Sequence, residues 1–243
     1  MEILRRPLIW HGHKNENYLV DINGQIYSLK NKVYLKLNNS QKSQQCVRLY
    51  INGYKETLMI HQVVSETFPD LMYHTPLCRF IQSGGQLTQK AQEGINLSIS
   101  VDHKDRNPHN NLINNLRFST RTEQNLNSNP NRTGTCVSKG VSEHQQRENK
   151  IGLALLCVFA KKQLPIVGCS GRVTKYRRVY SKDDYQKTER EFAILYDESL
   201  RLGIQDHFSD HPILAHQIIN EVAYFNSDIE SSLPKALFTR NNQ

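Results

Sequence analysis

The sequence predicts an α+β protein made of small modules rather than one large core. Short segments in which apolar and polar residues alternate, as strands do, lie in the first 60 residues and again after residue 138. Apolar residues at helical spacing occur in only a few longer segments. The hydrophobic fraction of 37% and the mean hydropathy of −0.62 are low for a single core in a chain of 243 residues. We therefore expect several small sheets, each with its own helices.

The N-terminal part is predicted to be β-rich and to end in a helix. Two Asn-Gly pairs, Asn23-Gly24 and Asn52-Gly53, each separate two alternating segments. Such pairs take the positive φ angles that tight hairpins require. Residues 60–68, IHQVVSETF, then have helical spacing. Within them, His61 is interpreted as a packing or hydrogen-bonding residue.

The C-terminal half is predicted to contain a three-stranded sheet and two helices. Residues 139–143, 152–160 and 173–180 have the composition of strands. Helical spacing follows in residues 187–202, where Gly203 is the expected C-terminal stop, and a further amphipathic helix is expected at 211–226.

These patterns divide the chain into four predicted parts. The linker between the second and third parts is rich in Asn, Pro and Gly. The parts are a β-rich module at 1–60, a central segment at 61–128 with an aperiodic insert at 69–100, a sheet-and-helix module at 136–208, and a terminal helix and tail at 209–243.

The charge and the cysteines indicate the partners and the compartment. A net charge of +8 with a pI of 9.2 favours a polyanionic partner. Five scattered cysteines without a Cys-x-x-Cys pair argue against a zinc ribbon and a disulfide scaffold. The N-terminus has no signal-peptide core, and the longest apolar run, at 153–160, is too short to cross a bilayer. We expect a soluble intracellular protein without a membrane partner.

Residues 101–127, VDHKDRNPHNNLINNLRFSTRTEQNLN, carry the side chains best suited to chemistry. Phosphodiester hydrolysis requires an activated water and stabilisation of charge on the phosphoryl oxygens. Asp102 offers an oxygen ligand for a hard divalent cation, and neutral His103 can accept a proton near neutral pH. A second oxygen ligand can come from the amide of Gln124 or Asn125. The asparagines between them can bond the backbone and stiffen a long loop: Asn107, Asn110, Asn111, Asn114 and Asn115.

The run DHKDRNPHNNLINNLRFSTRTEQN resembles the HNH motif of phage- and intron-encoded homing endonucleases, the ββα-metal family. The asparagine-rich branch of that family reads D-H-x-D-x-N-x-x-N-N-x-x-x-N-L-R-W-x-T. Phe118 stands where tryptophan is usual. The matching positions are Asp102, His103, Asp105, Asn107, Asn110, Asn111, Asn115, Leu116, Arg117 and Thr120.

This resemblance implies a role for each site residue. Asp102 would bind one Mg²⁺ or Mn²⁺, His103 would be the general base, and Asn115 would hold the histidine or the loop. The second metal ligand would fall at Gln124 or one residue later at Asn125, with Asn125 slightly preferred. Arg117, inside the motif, is expected to contact DNA.

The flanking sequences extend the resemblance. IWHGHKNENYLVDINGQIYSLKN is similar to a NUMOD-like N-terminal module of these enzymes, and IHQVVSETFPD resembles the helix that follows it. Residues 136–208 resemble an AP2-type DNA-binding module, three strands followed by a helix. Its basic residues would follow DNA phosphates, or they form a merely solvated face: Arg172, Lys175, Arg177 and Arg178.

The resemblance implies an HNH-type endonuclease that hydrolyses duplex DNA with one divalent ion. The alternative is a non-catalytic, AP2-like DNA-binding protein that retains a degenerate HNH scaffold. A third interpretation is an RNA-directed nuclease or RNA-binding protein, because phosphate contacts alone do not distinguish DNA from RNA.

Overall fold

The computed structural model describes residues 3–40, 44–51, 53–127, 141–144, 154–159, 174–179 and 182–222. Within these residues the chain combines several small sheets with helices, which confirms the predicted α+β class. The chain divides into two compact units, Met1–Arg79 with Leu97–Gln124, and Phe80–Asn96 with Asn125–Gln243.

Two antiparallel sheets form the N-terminal half of the first unit. The first sheet contains β1 (Arg5–Trp10), β2 (His13–Asp21), β3 (Ile26–Ser28) and β4 (Val33–Tyr34), and the second contains β5 (Asn38–Asn39), β6 (Gln45–Ile51) and β7 (Tyr54–Met59). Gly24 and Gly53 have φ angles of 76° and 84°, as the Asn-Gly pairs predict. A Cβ atom at Gly24 would lie 3.0 Å from the side chains of Asn111 and Ile60, so this turn also needs glycine for space.

Helix α1 (Ile60–Thr67) confirms the helix predicted from residue 60. Its side chains Ile60, Val63 and Val64 are fully buried, as is Phe68 just after it. They pack with residues of the first two sheets and with Leu116. Burial of this apolar stripe is what stabilises so short a helix, since isolated helices of this length are marginal in water.

A three-stranded sheet in the order β8, β10, β9 completes the first unit. The elements from residue 73 to residue 127, in chain order, are β8 (Tyr73–His74), α2 (Pro76–Gln82), α3 (Gln89–Gln92), β9 (Ile99–His103), β10 (Leu116–Thr120) and α4 (Arg121–Asn127). Of these, α3 belongs to the second unit, and α2 and α4 each have residues in both units. Strand β10 runs parallel to β8 and antiparallel to β9. The predicted insert at 69–100 therefore contains β8 and the two short helices α2 and α3, which its composition did not indicate.

The second unit contains the predicted three strands, β11 (Val141–His144), β12 (Ala154–Phe159) and β13 (Thr174–Val179), in one antiparallel sheet. Helix α5 (Lys182–His207) and helix α6 (Pro212–Val222) follow. The predicted stop at Gly203 is wrong, because α5 continues to His207. Leu200, Ile204 and Phe208 keep a buried face through this region, and that burial outweighs the roughly 1 kcal/mol by which glycine disfavours a helix. In the described parts of the chain, no helix is both long and apolar enough to cross a bilayer.

Candidate active site

Strands β9 and β10, followed directly by α4, bring together the central side chains. In the antiparallel register Asp102 lies opposite Arg117, and His103 lies opposite Leu116. Adjacent side chains of a strand point to opposite faces. Asp102 and Arg117 therefore share one face of the sheet, while His103 points with the buried Leu116 toward the core. The side chains of Asp102 and His103 thus lie on opposite faces of β9.

Asp102 forms an ion pair with Arg117. The Arg117 Nη2 and Nε atoms lie 2.9 Å and 3.1 Å from the Asp102 Oδ2 atom. Only 8% of the Arg117 side chain and 17% of the Asp102 side chain are exposed. The structure therefore places the guanidinium of Arg117 on a carboxylate, and its expected contact with DNA stays a prediction.

His103 is buried, and Asn111 contacts one of its ring nitrogens. The His103 Nε2 atom lies 3.1 Å from the Asn111 Oδ1 atom. The Asn111 Nδ2 atom donates to the Gln45 Oε1 atom at 2.8 Å, which leaves the Asn111 oxygen facing the histidine. An amide oxygen can only accept a hydrogen bond, so this contact requires a hydrogen on the His103 Nε2 atom; in the neutral ring the lone pair would then be on Nδ1. Asn111 was predicted only as a loop residue.

Asn115 holds the loop that follows β9. Its Nδ2 atom donates to the Asp105 Oδ1 atom at 3.0 Å and to the Asn110 carbonyl oxygen at 2.7 Å, and its Oδ1 atom accepts from the Asp105 amide at 3.1 Å. Burial would raise the pKa of Asp105, but hydrogen bonds from Asn107, Asn110 and Asn115 and the proximity of His103 outweigh it and lower that pKa. The hydrogen bonds of Asn115 thus favour the loop-holding role among those that the resemblance implies.

Thr120 and Glu123 fix the start of α4. The Glu123 amide donates to the Thr120 Oγ1 atom at 3.3 Å, and the Thr120 amide donates to the Glu123 Oε2 atom at 3.1 Å. This reciprocal pair is a capping box, which satisfies amide groups that the first helical turn leaves unpaired. The buried Glu123 carboxylate also accepts from the Leu77 amide at 2.8 Å and from the Thr75 hydroxyl. The T-x-x-E spacing of Thr120 and Glu123 is the sequence signal for such a box.

Gln124 lies over the same sheet face as Asp102. Its Nε2 atom is 2.6 Å from the Oγ atom of Ser100, the residue two positions before Asp102 on β9. Residues two apart on a strand share a face. The side chain of Asn125 is exposed. Gln124 therefore lies on the Asp102 side of β9, and the choice between Gln124 and Asn125 as a metal ligand stays a prediction.

Asp102 supplies a carboxylate of the kind that Mg²⁺ and Mn²⁺ prefer. The Gln124 amide turns its Nε2 atom toward Ser100, while its Oε1 atom accepts from the Arg121 Nη1 atom at 3.3 Å, so a metal ligand from Gln124 requires its amide to turn over. An ion bound there would share Asp102 with the Arg117 guanidinium. The residues that the structure describes include no group of three or more His, Cys, Asp or Glu side chains placed to hold a metal.

The basic residues of the predicted AP2-like module are only partly described. Lys175, Arg177 and Arg178 belong to β13, while Arg172 lies outside the described residues. Their expected contacts with DNA therefore stay predictions.

Comparison with known proteins gives one distant similarity. No family model matches the chain, and no curated protein matches it. A solved structure described as "DNA binding and cleavage by the HNH homing endonuclease I-HmuI" is 24% identical, with a TM-score of 0.31. The match covers 46% of this chain and 50% of that one, so this chain spans about half of that chain's length. A likeness of this size does not define the function of the chain.

Proposed function

We propose that the chain is a metal-dependent endonuclease of the HNH, or ββα-metal, type that hydrolyses phosphodiester bonds of duplex DNA. The observation that supports this proposal is the arrangement at the end of β9. His103 is held there by Asn111 through Nε2, and Gln124 bonds Ser100 on the strand face that carries Asp102. A candidate base and the Asp102 carboxylate thus lie next to each other in sequence at one strand end, with Gln124 near the carboxylate face.

In this proposal His103 is the group that accepts the proton. Its Nδ1 atom takes a proton from the attacking water, because the hydrogen bond to Asn111 keeps the ring hydrogen on Nε2. The hydroxide so formed bonds to phosphorus as the bond to the leaving oxygen breaks. Asn115 keeps the loop after β9 in one conformation and so fixes where the strand ends.

The oxygen ligands would come from Asp102 and Gln124, with Asn125 as the alternative to Gln124. One Mg²⁺ or Mn²⁺ held there would neutralise charge on the phosphoryl oxygens and assist the leaving oxygen. Duplex DNA would be bound through its phosphates by basic residues that include Arg172, Lys175, Arg177 and Arg178. The net charge of +8 favours such a partner.

A plasmid-nicking assay tests the proposal. Supercoiled plasmid is incubated with the full chain in Mg²⁺, in Mn²⁺ and in EDTA at several protein concentrations. We expect nicked circles in both metals and none in EDTA, and we expect Gln124→Ala to raise the Mg²⁺ concentration required while the matched Asn125→Ala has little effect. Absence of nicking in all conditions would contradict the proposal.

The ion pair between Asp102 and Arg117 favours a second candidate, a DNA-binding protein without nuclease activity. The guanidinium already supplies a positive partner for the carboxylate that would hold the metal. This candidate predicts that the chain retards DNA equally with Mg²⁺ and with EDTA and never nicks it.

A further inference from the structure

Lys104 directly follows Asp102 and His103 and continues the pairing of β9 by one position. Its amide donates to the Asn115 carbonyl oxygen at 2.9 Å, so the antiparallel ladder with β10 extends beyond the pair of His103 with Leu116. Successive side chains of a strand alternate between its two faces. The side chain of Lys104 therefore lies on the same face as that of Asp102, two residues earlier.

Two contacts fix the position of the Lys104 ammonium group. The Nζ atom donates to the Asn114 carbonyl oxygen at 2.8 Å and lies 4.9 Å from the centre of the Tyr73 ring. Tyr73 lies opposite Arg117 in the register of β8 and β10, and Asp102 lies opposite Arg117 in that of β9 and β10. Residues opposite each other on neighbouring strands share a face of the sheet. The ammonium group is therefore held over the sheet face that carries Asp102.

The stability of the fold gives little reason to hold this ammonium group in one place. The Lys104 side chain is exposed. Ordering a long lysine side chain costs rotamer entropy of about the same size as the gain from one hydrogen bond and one cation–π contact at an exposed site. A backbone carbonyl and a tyrosine ring carry no net charge, so these two contacts direct the positive charge of Lys104 without cancelling it.

We propose that the Lys104 ammonium group binds a phosphate of the DNA backbone next to the phosphate that is hydrolysed. This inference rests on the proposed nuclease function, which brings duplex DNA to Asp102. Two residues of a strand span about 6.5 Å, and the phosphates of one DNA strand follow each other about every 3.4 Å along the helix axis. Asp102 and Lys104 therefore face neighbouring phosphates. A lysine ammonium binds phosphate oxygens as a point charge, without reading the base sequence.

A phosphate bound by Lys104 would fix the position of the DNA strand along β9. This phosphate is not the one that reacts, so the contact is equally strong in the bound complex and in the transition state. Loss of the contact should therefore weaken DNA binding and raise KM for nicking, while kcat stays unchanged.

Lys104→Met tests the inference, because methionine keeps an apolar side chain beside the Tyr73 ring and removes the charge. Mobility shift in EDTA over a KCl series measures the slope of the logarithm of affinity against the logarithm of salt concentration. We expect Lys104→Met to reduce the magnitude of that slope by about one. Its KM for plasmid nicking in Mg²⁺ should rise about tenfold, as when one hydrogen bond to a charged group is lost. Lys104→Arg, which restores a positive charge, should recover the slope, and both variants should keep the parental thermal midpoint.

Lys14→Met is the matched control, because Lys14 is an exposed lysine that pairs with Glu16. It removes the same charge and should leave the slope, KM and kcat at their parental values. A loss of binding in Lys104→Met that follows a fall in its thermal midpoint and is not recovered by Lys104→Arg would overturn the inference. A parent chain that never nicks DNA would overturn the proposed function and this inference together. Nicking by the parent, with an unchanged slope and KM in Lys104→Met, would overturn this inference alone.

Discussion

At the scale of single residues, Arg117 and Asp102 each depend on the other. Both side chains are largely buried, and the Arg117 guanidinium bonds the Asp102 carboxylate through two nitrogen atoms. Arg117→Met would leave the carboxylate without its arginine in a poorly solvated place. We expect the free energy of unfolding in urea to fall by about 3–5 kcal/mol, as when other buried pairs lose one partner.

Lys14→Met is the control for that substitution. Lys14 pairs with Glu16 at 3.0 Å, but both side chains are exposed. An exposed pair contributes about 1 kcal/mol or less. If Arg117→Met changed the unfolding free energy as little as Lys14→Met does, the ion pair between Arg117 and Asp102 would not stabilise the fold.

The low pKa of His61 predicts a pH dependence of stability. Burial lowers this pKa from 6.5 to about 4 in the folded chain, whereas the unfolded chain keeps the ordinary value. Between these two values the unfolded state binds more protons, so the free energy of unfolding should decrease as the pH falls from about 6.5 to about 4. His61→Phe should reduce the slope of the unfolding free energy against pH by the amount that corresponds to about one proton taken up on unfolding. Urea unfolding at several pH values measures it, and an unchanged slope would contradict the assignment.

At the scale of elements, Glu123 joins β10, α4 and the start of α2. It accepts hydrogen bonds from the amides of Leu77 and Thr120 and from the hydroxyls of Thr75 and Thr120. Glu123→Ala would leave the buried amides of Leu77 and Thr120 unpaired, although the Thr75 hydroxyl would keep its bond to the Phe118 carbonyl, and unpaired buried donors are costly. We expect a loss of about 2–4 kcal/mol in the free energy of unfolding. The exposed Glu16→Ala is the control, and equal stability of the two variants would contradict this role.

The elements that could be predicted from sequence are those with local signals. The Asn-Gly pair at Gly24 marks a turn because glycine takes positive φ without strain. The spacing of Ile60, Val63 and Val64 marks α1 because only one helix face is apolar. Helix α5 extends past Gly203 because burial of Ile204 in the folded chain outweighs the low helix propensity of glycine. A rule based on local sequence does not include that burial.

The site was predictable in its residue types but not in its pairings. Asp102, His103 and Asn115 could be selected from the motif. The bond between Asn111 and His103 depends on how the loop folds back, and the pairing of Asp102 with Arg117 depends on the register of β9 and β10. The contact between His61 and His103 joins residues 42 positions apart in the sequence. No spacing rule within one segment reveals such contacts.

At the scale of the whole molecule, the net charge of +8 predicts salt-dependent binding to DNA. Each phosphate contacted releases a counterion, so the logarithm of affinity should fall linearly with the logarithm of salt concentration. Lys175→Ala should reduce the magnitude of that slope by about one if Lys175 contacts a phosphate. Electrophoretic mobility shift over a KCl series measures the slope, with Lys14→Ala as the control because Lys14 is already paired with Glu16. An unchanged slope in Lys175→Ala would contradict the contact.

The central claim, that His103 is the base of a nuclease site, is tested most directly by plasmid nicking with His103→Ala in Mg²⁺. His109→Ala is the matched control, because His109 is an exposed histidine of the adjoining loop. Removal of a general base should lower the nicking rate by ~10²–10⁴-fold, while DNA retardation in EDTA stays at the parental level. His109→Ala should nick at the parental rate. Nicking by His103→Ala as fast as by the parent would contradict the account.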